Sequence, residues 1–231
     1  MDVFLVRTTL YVVLPLVVAA VISALDPTVR TRAQKLEVTL IYLFGLGVAG
    51  SGIGGAIGHL FLSDQVAEAV GWTTGSPFQL EMGFANLALG VLGLIAVGRR
   101  DGFREATVTA VTVIGIGATI VHLIDIAQTG NLAPGNTLQN VANLAKPVLL
   151  IAFLRAGRRA TLMTEAPPPN LNARHGPVVG WLAMAVSTGF ALGYALDRLV
   201  LFTGLGVLFG AAAVWLLVAR SRAEAVDPVA P

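Results

Sequence analysis

Apolar residues run along this chain in long, nearly charge-free stretches, and short polar clusters punctuate them. The stretches fall at residues 4–25, 36–62, 77–98, 104–127, 137–154, 177–196 and 199–219. Each approaches or exceeds the roughly 20 residues a helix needs to cross the hydrocarbon core of a bilayer. The last two form one unbroken apolar stretch, which divides at Asp197-Arg198 because two charges at mid-bilayer would cost several kcal/mol. The pattern therefore predicts an all-α polytopic bundle of about seven spans. Residues 63–72 read differently. Val66, Ala69 and Val70 share one helical face, Asp64, Gln65 and Glu68 interleave with them, and Trp72 closes the segment. This predicts a short helix lying at the interface and anchored by Trp72.

Composition agrees. Of 231 residues, 55% are hydrophobic and 12% charged, against about 25% charged in a soluble domain. So few charges cannot solvate a globular surface, and the spans leave no room for a soluble domain. The chain has no cysteine, which excludes disulfides, thiolate metal sites and Cys nucleophiles. A net charge of +2 gives no footprint for nucleic acid. The first stretch contains Pro15 and lacks a small-residue cleavage site before Asp26, so it reads as a span and not a cleaved leader.

The charges orient the bundle. Arg30, Arg32 and Lys35 follow the first span, and Arg99, Arg100 and Arg104 the third. Arg155, Arg158, Arg159 and Arg174 follow the fifth, and Arg220 and Arg222 the seventh. The opposite side holds only Arg7 and Arg198, and Lys146 lies inside a span. Positive charge marks the cytoplasmic side, so the N-terminus is expected outside, the C-terminus inside, and the protein in the cytoplasmic (inner) membrane. The expected organisation is a first transmembrane helix and loop over residues 1–35, a four-helix core over 36–159, a proline-rich cytoplasmic linker over 160–176, and a C-terminal hairpin and tail over 177–231.

Within the core a repeat is legible. Gly52-Ile53-Gly54 through His59-Leu60 aligns with Gly115-Ile116-Gly117 through His122-Leu123, and Ala85-Asn86-Leu87-Ala88 with Ala142-Asn143-Leu144-Ala145. Gly75-Ser76-Pro77-Phe78-Gln79 aligns with Gly135-Asn136-Thr137-Leu138-Gln139, and paired arginines close each unit. Both copies run in the same direction, so they predict two parallel hairpins around an axis along the membrane normal. His59 and His122 would then face each other across that axis.

The polar residues inside the spans are the candidates for chemistry. Small residues recur every four positions through Gly50, Gly54 and Gly58, a pattern for close helix packing or for a flat ligand on a glycine face. Two roles are open to His59 and His122: hydrogen bonds within the bundle, or paired axial ligands to a b-type haem. Two imidazoles suffice for haem but not for a structural zinc, and no other metal site is expected. Asp125, one turn beyond His122, is placed to orient its imidazole. Ser76, Pro77 and Gln79 read as an N-cap, a first-turn proline and a capping box, and Asn136 with Gln139 repeats them. Lys146 is expensive in a span and needs either a route to the headgroups or a polar cavity. The alternatives are snorkelling with an Asn86–Asn143 hydrogen bond, or a ligand pocket lined by Asn86, Asn143 and Lys146 with Glu81 as counter-charge. Pro147 leaves the Asn143 carbonyl without its helical donor. All these residues fall in the outer half of the bilayer.

Gly58-His59-Leu60-Phe61, Gly71-Trp72, Gly75 through Gln79, Gly83 through Leu87, His122-Leu123 with Asp125, and Pro134-Gly135-Asn136 resemble an uncharacterised prokaryotic family of small polytopic membrane proteins. The likeness covers about residues 40–155. It implies the topology and supplies no activity.

The leading expectation is a non-enzymatic membrane protein with an outward-facing polar pocket for a lipid-like or small-molecule ligand, or an accessory subunit of a membrane complex or homo-oligomer. The alternatives are a bis-histidine haem protein, and a membrane enzyme acting on a lipid or isoprenoid with His122 and Asp125 as acid–base groups. The expected partners are the bilayer and another membrane protein, not nucleic acid.

Overall fold

The computed structural model describes residues 3–162 and 171–226. All regular structure among them is helical, and seven helical segments are long and apolar enough to cross a membrane. This is a multi-pass membrane protein. We number the helices α1 (Val3–Leu25), α2 (Arg32–Phe61), α3 (Ser63–Val70), α4 (Phe78–Gly98), α5 (Gly102–Thr129), α6 (Pro134–Thr137), α7 (Gln139–Leu162), α8 (Leu171–Ala195) and α9 (Leu199–Val226). The expected split of the last two spans is seen as a tight turn. Asp197 takes φ 52° there, and the Arg198 amide donates to the Gly193 carbonyl at 2.8 Å.

Helix α2 is the centre of the bundle. Its apolar window is 89% buried, against 22–50% in every other span. It begins at Arg32, four residues before its apolar run, because Thr31 and Gln34 form a capping box. Between Leu43 and Gly50 it widens into π-helical turns, and every residue there is buried. Widening displaces carbonyls from the regular ladder, and they need other donors. Ser187 of α8 supplies one, its hydroxyl meeting the Gly50 carbonyl at 2.7 Å, and the Tyr11 hydroxyl of α1 donates to Ser187 in turn.

The four core helices form a square. Helix α2 packs on α4 and α7, and α5 packs on the same two, so α2 and α5 stand diagonally. Glycine permits the closest approaches. A Cβ on Gly52 would sit 2.5 Å from the Gly90 amide nitrogen of α4, and one on Gly115 would sit 2.5 Å from the Asn143 carbonyl oxygen of α7. The carbonyl that Pro147 leaves without a helical donor is therefore laid against a glycine of the neighbouring helix. The C-terminal hairpin packs on this core. Helix α8 lies along α2, and α9 covers α8 and touches α1.

The linker is shorter than the pattern predicts: α8 begins at Leu171, with Leu171, Asn172 and His175 buried. Pro177 lies inside this helix, in its second turn. Asn172 also meets the end of α4 and the Arg100 side chain. Residues 163–170 of the expected linker lie outside the described residues.

The arginine-rich end is closed by ion pairs. Glu37 on α2 receives two hydrogen bonds from Arg104, at 3.0 and 2.9 Å, and one from Arg100 at 3.1 Å. Arg104 is 3% exposed and also donates to the Ala96 carbonyl. Nearby, Asp26 accepts from the Thr28 amide and hydroxyl and from Ser221 of α9, and Arg174 of α8 bonds Thr28 and Ser221. Burial alone would raise the Asp26 carboxyl. The Thr28 bonds, the Arg174 charge and Ser221 together hold it below the ordinary carboxylate value.

Candidate functional site

The opposite, charge-poor end is open. There α1, α2, α4, α5 and α7 surround a cavity of about 310 Å³. Its polar lining is Arg7, His59, Gln79, Asn86, His122, Gln139, Asn143 and Lys146, with Trp72 at one wall. Five residues singled out in the sequence thus meet in one space: His59, Asn86, His122, Asn143 and Lys146. Glu81 does not join them. It is exposed on another face of α4 and supplies no counter-charge.

Lys146 turns inward. Its ammonium donates to Ser51 Oγ of α2 at 2.8 Å. The Ser51 hydroxyl proton is directed at the Gly47 carbonyl, 2.6 Å away, so the serine oxygen is free to accept. Snorkelling to the headgroups is not what the chain does. The expected Asn86–Asn143 hydrogen bond is also absent among the described residues. Asn86 donates to the Met82 carbonyl of its own helix. Asn143 Oδ1 accepts from Gln139 at 2.9 Å, and Gln139 Oε1 accepts from Arg7 at 3.3 Å. The Asn143 amide nitrogen is buried with no hydrogen-bond partner among the described residues.

The two histidines are held in the same manner. His59 Nδ1 lies 2.7 Å from Gln79 Oε1, and His122 Nδ1 lies 2.7 Å from Asn136 Oδ1. The Asn136 amide nitrogen donates to Asp125 and to the Asn131 carbonyl, at 2.8 Å each. A carboxylate and a carbonyl only accept, so the oxygen of Asn136 is the atom that faces the imidazole. His122 Nδ1 therefore donates to Asn136.

Asp125 acts at one remove. Its carboxylate accepts from Trp72 Nε1 at 3.0 Å, from Asn131 at 2.9 Å and from Asn136, and it does not line the cavity. The expected direct bond to His122 is replaced by a relay through Asn136. Trp72 is not simply an interfacial anchor. Helix α3 ends in Gly71 at φ 81°, and the Trp72 amide reaches back to the Ala67 carbonyl. This left-handed stop turns the indole inward. Its ring stacks on His122, with centroids 5.3 Å apart and planes 21° apart.

Sequence reasoning missed Arg7, Ser51, Gln79, Asn136 and Gln139. Gln79 and Asn136 have the spacing of capping residues, and Ser76 Oγ does accept from the Phe78 amide at the start of α4, but the side chains of Gln79 and Asn136 meet imidazoles instead. Arg7 stands within the first span near its charge-poor end, where it reads as an interfacial charge. Only the packing of α1 beside α7 reveals it as part of the cavity.

Fold and site together define a seven-helix membrane protein with a polar cavity at one end of its core. The chain belongs to a family of unknown function, DUF6790, which covers residues 6–162. That range includes all of the cavity's polar side chains and reaches back through the first helix, beyond the segment in which the resemblance was legible. The hairpin of α8 and α9 lies outside it. No curated protein and no solved structure matches the chain.

Proposed function

We propose that this protein binds a small or lipid-like ligand in the cavity between α1, α2, α4, α5 and α7. One observation carries the reading: Lys146 enters the bundle core and, among the described residues, finds a single neutral acceptor, Ser51 Oγ, with no Asp or Glu lining the space. An ammonium away from water and without a counter-ion is costly, and such groups inside membranes mark ligand or ion sites. The volume also suits the lower range of small-molecule pockets. The matched approaches of Gly52 to α4 and Gly115 to α7, with His59 and His122 on diagonal helices, support a core duplicated from one hairpin. The charge bias supports a pocket that faces outward from the cytoplasmic membrane.

Native mass spectrometry from a gentle detergent tests the reading. The wild type is expected to retain a bound lipid or small molecule at one per chain. Ala118→Trp, which fills the cavity wall, is expected to lose it. Equal ligand content in both, or none in either, overturns the proposal.

A second reading, bis-histidine haem, is favoured by one observation: both imidazoles line the same cavity with Nδ1 tied and Nε2 unoccupied by any hydrogen bond among the described residues. It requires a Soret band that disappears in both His59→Ala and His122→Ala. The ligand-pocket reading expects a colourless protein.

A further inference from the structure

We infer that the cavity selects an anionic headgroup, a carboxylate or a phosphate, on an amphiphile that enters from the lipid between α4 and α5. This inference rests on the cavity being a ligand pocket and adds the chemistry of what it takes.

The first ground is charge. Arg7 and Lys146 line the same space, and among the described residues no Asp or Glu does. Asp125, the carboxylate closest in sequence to a lining histidine, accepts hydrogen bonds from Trp72, Asn131 and Asn136 behind His122 and is not available to either cation. Glu81 is exposed elsewhere on α4. Two like charges held around a desolvated space repel each other, and an anion between them relieves that repulsion.

The second ground is the direction of the hydrogen bonds. Arg7 donates to Gln139, and Gln139 donates to Asn143. The chain engages the oxygen of each amide and ends on the Asn143 amide nitrogen, a buried donor with nothing to bond among the described residues. Lys146 spends one N–H on Ser51 and has two left. Surplus donors call for a ligand that only accepts. Carboxylate and phosphate oxygens do so, whereas an amine or a quaternary ammonium does not.

The third ground is the route in. Helices α2 with α4, and α5 with α7, pack closely as hairpins, while α4 and α5 touch far less. Phe78, Ile114 and Val121 line the cavity along this seam, and all three are exposed to what would be hydrocarbon. The mouth is apolar and the interior is cationic. An alkyl chain suits the first and an anionic head suits the second.

The test uses the full chain in phosphatidylcholine nanodiscs, with Trp181 and Trp215 replaced by Phe so that Trp72, stacked on His122, reports alone. Both replaced residues are exposed, and neither lines the cavity. Dodecyl phosphate and dodecanoate are expected to change the emission saturably. Lys146→Met and Arg7→Gln should each weaken binding about tenfold or more, as loss of a charge-assisted bond implies. Lys146→Arg should keep it, which separates charge from misfolding. Dodecyltrimethylammonium binding as tightly as dodecyl phosphate, with both variants unaffected, would overturn the anion inference and leave the pocket standing. No saturable response to any amphiphile would overturn the pocket itself. Inorganic phosphate binding as tightly as dodecyl phosphate would overturn the lateral lipid route and support a free anion as the ligand.

Discussion

The two ends of this bundle treat buried charge in opposite ways. At the arginine-rich end, Arg104 is bound by the Glu37 carboxylate and the Ala96 carbonyl, and Asp26 is enclosed by Thr28, Ser221 and Arg174. These contacts join α2 to the α4–α5 turn, and the α1–α2 turn to α8 and α9. At the charge-poor end, Arg7 and Lys146 reach only neutral oxygens among the described residues, around a space. A closed ionic network locks helices together, and an open one leaves binding energy unspent. The first is therefore read as structure and the second as the site, although both arise from a few charges in an apolar sequence.

The contrast is sharpest in stability. Glu37→Gln strands the buried Arg104 guanidinium and is expected to destabilise by about 3 kcal/mol or more, as when one partner of a buried pair is removed. Lys146→Met removes an uncompensated charge and is expected to leave ligand-free stability unchanged or raised. Denaturation of both variants in the same detergent checks the opposite signs, and equal losses would erase the distinction.

A smaller effect tests the packing around the open end. Gly115→Ala places a methyl on the Asn143 carbonyl and should cost about 1–3 kcal/mol through overpacking. Gly117→Ala, on the same helix with nothing within 4 Å, should be neutral or slightly stabilising. Thermal unfolding of the pair reads the difference. Similar values would mean that α5 and α7 are not in register there.

The smallest effect is in pH. Asp26 is held below its ordinary value, so its contribution is present above the unfolded carboxylate pKa of about 3.9 and is lost as pH falls through its folded value. The stability of the wild type should decline over that acid window, and Asp26→Asn should flatten the decline. A variant with the same acid slope would remove Asp26 from the closed end.

Much of this was legible in the chain because a bilayer demands it. Spans must be long, apolar and helical, so the runs, the Asp197-Arg198 turn and the short helix before Trp72 stand out in one dimension. His59, Asn86, His122, Asn143 and Lys146 were marked for the same reason, since each is costly where it lies. Gln79, Asn136 and Arg7 were not, because each has an ordinary local role at a helix end. Glu81 was a candidate counter-charge for Lys146, but it is exposed and does not line the cavity.

The sequence by itself determined the class, the number of spans, the bias of charge to one end and the residues that lipid could not tolerate unaccompanied. These follow from local length and transfer cost. Only the tertiary structure decided who accompanies whom. The left-handed stop at Gly71 turned Trp72 onto His122, the proline-freed Asn143 carbonyl seated α7 on Gly115, and the placing of α1 brought Arg7 to Lys146's cavity. Each is a contact across helices, set by packing that no single helix encodes.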